Sequence, residues 1–358
     1  MTERFDLAVA GAGPAGLAAA MYGARAGMSV VVFDPHRGPI DKACGEGIMP
    51  AGVEALAELG IRPDGVPIRG IHFGDAADPR LGADGTFHGG AALGVRRTVL
   101  HRAMKRRARE LGVRFIAERV SAFEQLGDRV LVNGSTECRW LIGADGLHSR
   151  VRRGLGVQRA SRSPGRIGLR RHYAVRPWSD RVEIFFGDRV EAYVTPVGTK
   201  LVGLAFLFER QAAVDERAFA ALLARFPLVS RHLAGAAVAS RLRGAGPFEQ
   251  RVSRRVVGRV LLVGDAAGYI DPLTGDGIAI GLATAQAAVS SVLAGAPTSY
   301  EARYRLLTRR YARVTSLLLA VARRRFLHRP FLRLAGTLPR TFDDVLDLLG
   351  HPPVAAVT

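Results

Sequence analysis

The sequence predicts an α/β protein: a parallel, doubly wound sheet assembled from separated stretches of chain, an antiparallel sheet beside it, and a helical C-terminus. Three observations carry this expectation. A strand–glycine-turn–helix–strand unit opens the chain, two further strand–turn–helix motifs return far downstream, and two-residue alternation dominates the stretch between those two motifs. With 358 residues, 48% of them hydrophobic, the chain has enough apolar surface for one large domain or two interleaved ones.

Residues 5–10 read as a buried strand that runs straight into Gly11-Ala12-Gly13-Pro14-Ala15-Gly16. A small-residue helix follows over 17–26, and a second strand over 29–33 ends on Asp34. Gly11 permits the tight turn, Gly13 lets backbone N–H groups approach a pyrophosphate, and Gly16 lets helix and strand pack closely. The helix N-terminus turns its dipole and unpaired N–H groups toward the phosphates. Asp34 stands where a carboxylate reaches a ribose hydroxyl. A dinucleotide is the expected ligand.

The second motif, residues 140–152, contains Ala144-Asp145-Gly146 and reads as a strand, a turn and a helix start. The third is a strand over 258–263 that reaches Gly264-Asp265, followed by Pro272-Leu273-Thr274-Gly275-Asp276-Gly277 at the opening of a helix. With these three motifs in this order, the chain resembles the FAD-dependent oxidoreductases of the aromatic hydroxylase and geranylgeranyl reductase superfamily. The resemblance runs from about residue 5 to the C-terminal helices. It implies a discontinuous, Rossmann-like FAD-binding domain over 1–65, 94–165 and 250–297. It also implies an antiparallel-sheet substrate domain over 66–93 and 166–249, and a helical region over 298–358.

The resemblance also assigns residues. Gly11, Gly13, Pro14, Ala15, Gly16 and Asp34 would hold the adenosine and pyrophosphate half of FAD. Arg97 matches the arginine that reaches the pyrophosphate, and Val120, on a short strand after the helix of 97–112, matches a backbone contact to adenine. Asp265 would bond the ribityl chain. Gly275, Asp276, Gly277 and Ile278 would set a helix N-terminus under the flavin ring, where reduction develops negative charge that a helix N-terminus stabilises. Asp145 would be structural, near the pyrophosphate. Cys44 and Gly45, in Cys44-Gly45-Glu46-Gly47, match the Cys-Gly-Gly-Gly turn that lies beside the flavin in geranylgeranyl reductases, with Glu46 replacing a glycine.

Reaction class is open at two places. Glu191-Ala192-Tyr193-Val194-Thr195-Pro196 falls where geranylgeranyl reductases carry Tyr-x-Trp-x-Phe-Pro, and it keeps only the proline and one aromatic position. Tyr193 and Glu191 are the candidate catalytic residues, one to polarise a phenol and the other to act as a base. The weakened motif favours a monooxygenase that hydroxylates a lipophilic aromatic or polyketide-like molecule, with NAD(P)H and O2. The Cys44 turn favours the alternative, reduction of isoprenoid double bonds.

Composition limits the partners. The formal charge of +19 comes almost wholly from arginine, since lysine stands only at Lys42, Lys105 and Lys200. No nucleic-acid-binding signature accompanies it, so nucleic acid is not expected. Arginines interleave with Leu317, Phe326, Phe331 and Leu332 near the end of the chain, a pattern compatible with peripheral contact to an anionic membrane or with a solvated helix face. Nine scattered histidines show no metal-ligand spacing, so no metal is expected. Two cysteines, Cys44 and Cys138, give no disulfide framework, and no secretory signal is evident, so a cytoplasmic location is expected. Oligomeric state is left open.

Overall fold

The computed structural model describes residues 3–161, 165–209, 214–322, 324–338, 340, 343–344 and 346–347. Its first large sheet is centred on the strand Glu3–Ala10, which pairs in parallel with Val30–Phe33 on one side and Thr136–Gly143 on the other. Arg114–Ile116 and Val260–Leu262 extend it outward, both in parallel. The four residues of Val30–Phe33 are all buried, as expected for a parallel strand covered on both faces. A hairpin, Phe123–Leu126 with Arg129–Val132, adds antiparallel to Thr136–Gly143. The sheet thus gathers strands from the beginning, the middle and the later part of the chain.

Helix Pro14–Arg25 packs against helix Gly277–Leu293, and small side chains on both make the approach close. The second is the most apolar of the long helices, and 11 of its 17 residues are buried inside the protein. Among the described residues no helix is long and apolar enough to cross a membrane.

The second large sheet runs in the order Ala237–Val238, Arg166–Ala174, Leu201–Glu209, Val190–Gly198, Arg181–Phe186, Gly70–Asp75, Gly82–Thr86. Its pairings are antiparallel except one, where Arg181–Phe186 runs parallel to Gly70–Asp75. That exception arises because 70–86 enters the sheet from a distant part of the chain. The excursion of 66–93 also divides. Its outer strands, Val66–Ile68 and Ala92–Gly94, leave the second sheet and join Gly47–Ile48 in a small three-stranded sheet.

Helices Tyr300–Ala322 and Arg325–Thr337 close the described chain, and the latter packs on the edge strand Gly82–Thr86. Of the expected C-terminal helical region, residues 348–358 lie outside the described residues.

Candidate functional site

One cavity of about 940 Å³ runs between the two large sheets, and residues from all three motifs line it. Two helix N-termini open on it. At the first, the N-cap is Gly13, which offers no side-chain cap, and Pro14 follows at the first helical turn. A Cβ built on Gly13 would meet nothing within 4 Å, whereas one on Gly16 would lie 1.9 Å from the Gly11 carbonyl oxygen. Gly11 itself has φ +102°, which an L side chain rarely adopts. Gly13 is thus open toward the cavity, and Gly16 is the packing glycine, away from the cavity wall. At the second N-terminus the Asp276 side chain makes no capping bond either, so the first N–H groups of Gly277–Leu293 remain available.

Charged groups surround this opening. Asp34 Oδ2 accepts the Ala12 N–H of the glycine turn at 2.8 Å, and its Oδ1 bonds the His36 ring at 2.8 Å. Arg97 lines the cavity, and its buried Nε has no partner among the described residues. Lys42 Nζ donates to Asp265 Oδ2 at 3.0 Å. Two uncapped helix ends, an arginine awaiting an acceptor and flanking carboxylates form a donor set that suits a dinucleotide with a pyrophosphate.

A match to the FAD binding domain family extends over residues 4–306. The chain belongs to this family of FAD-dependent oxidoreductases. A menaquinone reductase of Mycolicibacterium smegmatis is 32% identical over 95% of this chain and 86% of its own length. A digeranylgeranylglycerophospholipid reductase of Methanothrix thermoacetophila is 29% identical over 77% of this chain and 74% of its own. Among solved structures, the flavin-dependent brominase Bmp2 superposes with a TM-score of 0.83 at 18% identity, over 97% of this chain and 93% of its own; that likeness speaks to fold.

For this flavoprotein, the cavity wall includes Gly11, Gly13, Pro14, Ala15, Asp34 and Arg97. It includes Cys44, Gly45, Val120, Asp145, Asp265, Gly275, Gly277 and Ile278 as well. Val120 lies four residues beyond the strand Arg114–Ile116 rather than on it. Asp145 Oδ2 accepts the N–H groups of Arg150 and Val151, which fits a structural role at the start of Arg150–Gly154.

Three expected site residues do not line the cavity: Gly16, whose role is packing, Asp276 and Glu191. Asp276 is not on the wall: its carboxyl is buried behind the helix start, and burial raises its pKa to about 7 although Thr274 and Arg310 act the other way. Glu191 is not a free base. It is buried in an ion pair with Arg166, which also bonds Asp271 at 3.1 Å, and it does not line the cavity. Both acids are on elements correctly anticipated, but Arg166 claims Glu191, and the packed helix start buries Asp276.

Tyr193 does line the cavity. Its hydroxyl donates to the Leu273 carbonyl at 3.4 Å, and burial pushes its pKa upward, so it stays neutral. Sequence reasoning gave no role to Lys42, Glu46 or Arg170, which also line the wall. The one available signal was Glu46 at a position where the resembling turn carries glycine.

Proposed function

We propose that this flavoprotein reduces carbon–carbon double bonds in the polyisoprenoid chain of a lipid, with NAD(P)H as its reductant. The observation that carries the reading is the wall beyond the cofactor motifs. It includes Ile71, Val182, Ile184, Leu207 and Phe248, with Tyr193, Thr195 and Arg170 as polar groups on the same sheet. An electron-rich phenol needs a base to activate it, and the one acid expected to act so, Glu191, is held by Arg166. Saturating an alkene adds one hydride and one proton. The hydride would come from the reduced cofactor and the proton from a neutral donor such as the Tyr193 hydroxyl, re-protonated from solvent, on an apolar bed that excludes bulk water and fixes the approach. The names of two relatives, a menaquinone reductase and a digeranylgeranylglycerophospholipid reductase, point to substrates with long isoprenoid chains.

When bound and reduced by NAD(P)H, FAD would supply the hydride. The chain's own residues hold and orient. Gly13 and the helix start behind it would bind the pyrophosphate, joined by Arg97, and Asp34 would take the ribose. The uncapped start of Gly277–Leu293 would stabilise charge on the reduced ring. The apolar wall would orient the chain, and the Tyr193 hydroxyl, anchored to Leu273, would fix one end of that wall. Aromatic hydroxylation with O2 is the competing reading.

Incubation with prenyl lipids and alkylated phenols under 18O2, and again without oxygen using a chemical reductant, separates the two. Anaerobic products heavier by two hydrogens are expected. Label in the product, with no anaerobic turnover, would overturn the reductase reading in favour of hydroxylation.

Access to such a substrate fits the C-terminal helices. Leu317, Phe326 and Leu334 are 66%, 71% and 62% exposed, and the exposed Arg313 and Arg333 stand near them in sequence. Lone exposed leucines are ordinary, but apolar and cationic side chains together suit an anionic lipid surface.

A further inference from the structure

Glu46 is a buried carboxylate at 2% exposure with a backbone φ of +61°, the left-handed region in which a Cβ crowds the backbone. A strained residue in a cavity wall invites a functional explanation. Three ties hold it. Its carbonyl accepts the Val95 N–H at 2.9 Å, and its Oε1 accepts the Arg97 N–H at 2.8 Å, at the start of helix Arg97–Glu110. Its Oε2 bonds Nε2 of His172, which lies on the strand Arg166–Ala174 of the second sheet. The turn, the arginine helix and the second sheet therefore meet on one side chain.

The charges around it are unequal. Arg96 Nε lies 3.6 Å and Arg170 Nη2 4.0 Å from Oε1, while Arg170 also pairs with Asp41, which Arg243 approaches at 3.3 Å. On its other side His172 Nδ1 faces Arg170 Nη1 at 3.1 Å and the Ser240 hydroxyl at 2.8 Å. The guanidinium N–H at Nδ1 can only donate, which leaves the ring proton on Nε2, directed at Glu46. Burial keeps this imidazole below its ordinary pKa despite Glu46, so the ring adds no full charge. The Glu46 carboxylate is then the counter-charge to Arg96 and to part of Arg170 on a wall shared with Cys44, Gly45 and Gly47.

We propose that Glu46 is a positioning residue for the flavin: it fastens the Cys44–Gly47 turn to the Arg97 helix and to His172, and its charge offsets the neighbouring arginines. The proposal rests on FAD occupying this cavity and is independent of which substrate is reduced or oxygenated. Its consequence is directional. Without the carboxylate, uncompensated guanidinium charge favours an anionic reduced flavin over the neutral oxidised one, so the midpoint potential rises.

Three variants test it. Glu46→Gln keeps the shape and the acceptor for Arg97 but removes the charge. Glu46→Gly removes every side-chain tie while relieving the left-handed backbone, so its fold is favoured locally. His172→Gln keeps a donor toward Glu46. Each purified holoprotein is measured for midpoint potential, FAD dissociation constant and melting temperature. The expected result is a higher potential in Glu46→Gln, FAD binding at least about tenfold weaker in Glu46→Gly, and values near the parent in His172→Gln. Unchanged potential and FAD affinity in the folded Glu46 variants would overturn the proposal, as would a change confined to melting temperature.

Discussion

At the scale of single residues, the two inner glycines of the phosphate turn separate folding from binding. A methyl group on Gly16 must displace the Gly11 carbonyl, which is backbone and cannot swing aside. Gly16→Ala is expected to destabilise the cofactor-free protein by about 1–3 kcal/mol, the usual cost of overpacking. Gly13→Ala meets open space, so the cofactor-free protein should melt near the parent temperature while FAD binds roughly tenfold or more weakly, a loss of ~1.4 kcal/mol. Thermal denaturation and flavin titration of the pair check this, and equal melting temperatures would contradict the assignment.

Asp276 gives a pH dependence whose sign follows from burial. Its folded pKa of about 7 lies above the ordinary 3.8, so the native state binds the proton more tightly than the unfolded chain. The associated stability is complete below pH 4 and is lost as pH rises toward and through 7. The neighbouring Arg310 limits the loss, which should be on the order of 1–4 kcal/mol. Asp276→Asn cannot ionise. Urea unfolding should show the variant gaining on the parent between pH 5 and pH 8, and parallel pH curves would rule the effect out.

At the scale of elements, the last described helix is held by a buried acid on another sheet. Asp75 ends the strand Gly70–Asp75, and its Oδ2 meets the His328 ring and Arg329 Nε, each at 3.1 Å. Its Oδ1 accepts the Ala77 and Asp78 N–H groups, so one carboxylate both turns its own strand and clamps Arg325–Thr337. Phe186 stacks on His328 beneath the same contact. Removing one partner of such a buried cluster costs roughly 3–5 kcal/mol. Asp75→Ala should therefore expose Arg325–Thr337 to limited proteolysis before the rest of the chain is cut. Protection equal to that of the parent would show that apolar packing alone holds the helix.

At the scale of the whole molecule, a net charge of +19 meets an uneven distribution of exposed apolar side chains. Among the described residues, Leu306, Leu317, Phe326, Leu334 and Leu338 account for five of the nine exposed large hydrophobics. The protein is expected to sediment with vesicles containing anionic lipid and not with neutral ones, and added salt should weaken the binding within the limits of Debye screening. Phe326→Glu with Leu334→Glu should abolish sedimentation while leaving flavin content intact. Equal binding to neutral and anionic vesicles would exclude a charge-assisted surface.

The sequence by itself determined the cofactor half of this protein. A phosphate turn is local: Gly11, Gly13 and Gly16 act within six residues of chain, and the strand, helix and acid around them follow from periodicity over short windows. The later motifs at Asp145 and Asp265 are legible for the same reason. Tertiary structure decided what those local patterns leave open. Glu191 became a structural ion because Arg166, which it shares with Asp271, pairs with it, and Asp276 stands off the cavity because the packed helix start buries it. Glu46 acquired partners from Arg97 and from His172, 126 residues away. The parallel pairing of Arg181–Phe186 with Gly70–Asp75 likewise joins strands more than a hundred residues apart, which no local periodicity encodes. Side-chain chemistry depends on which groups meet in space, and a buried charge takes its role from the partner that neutralises it.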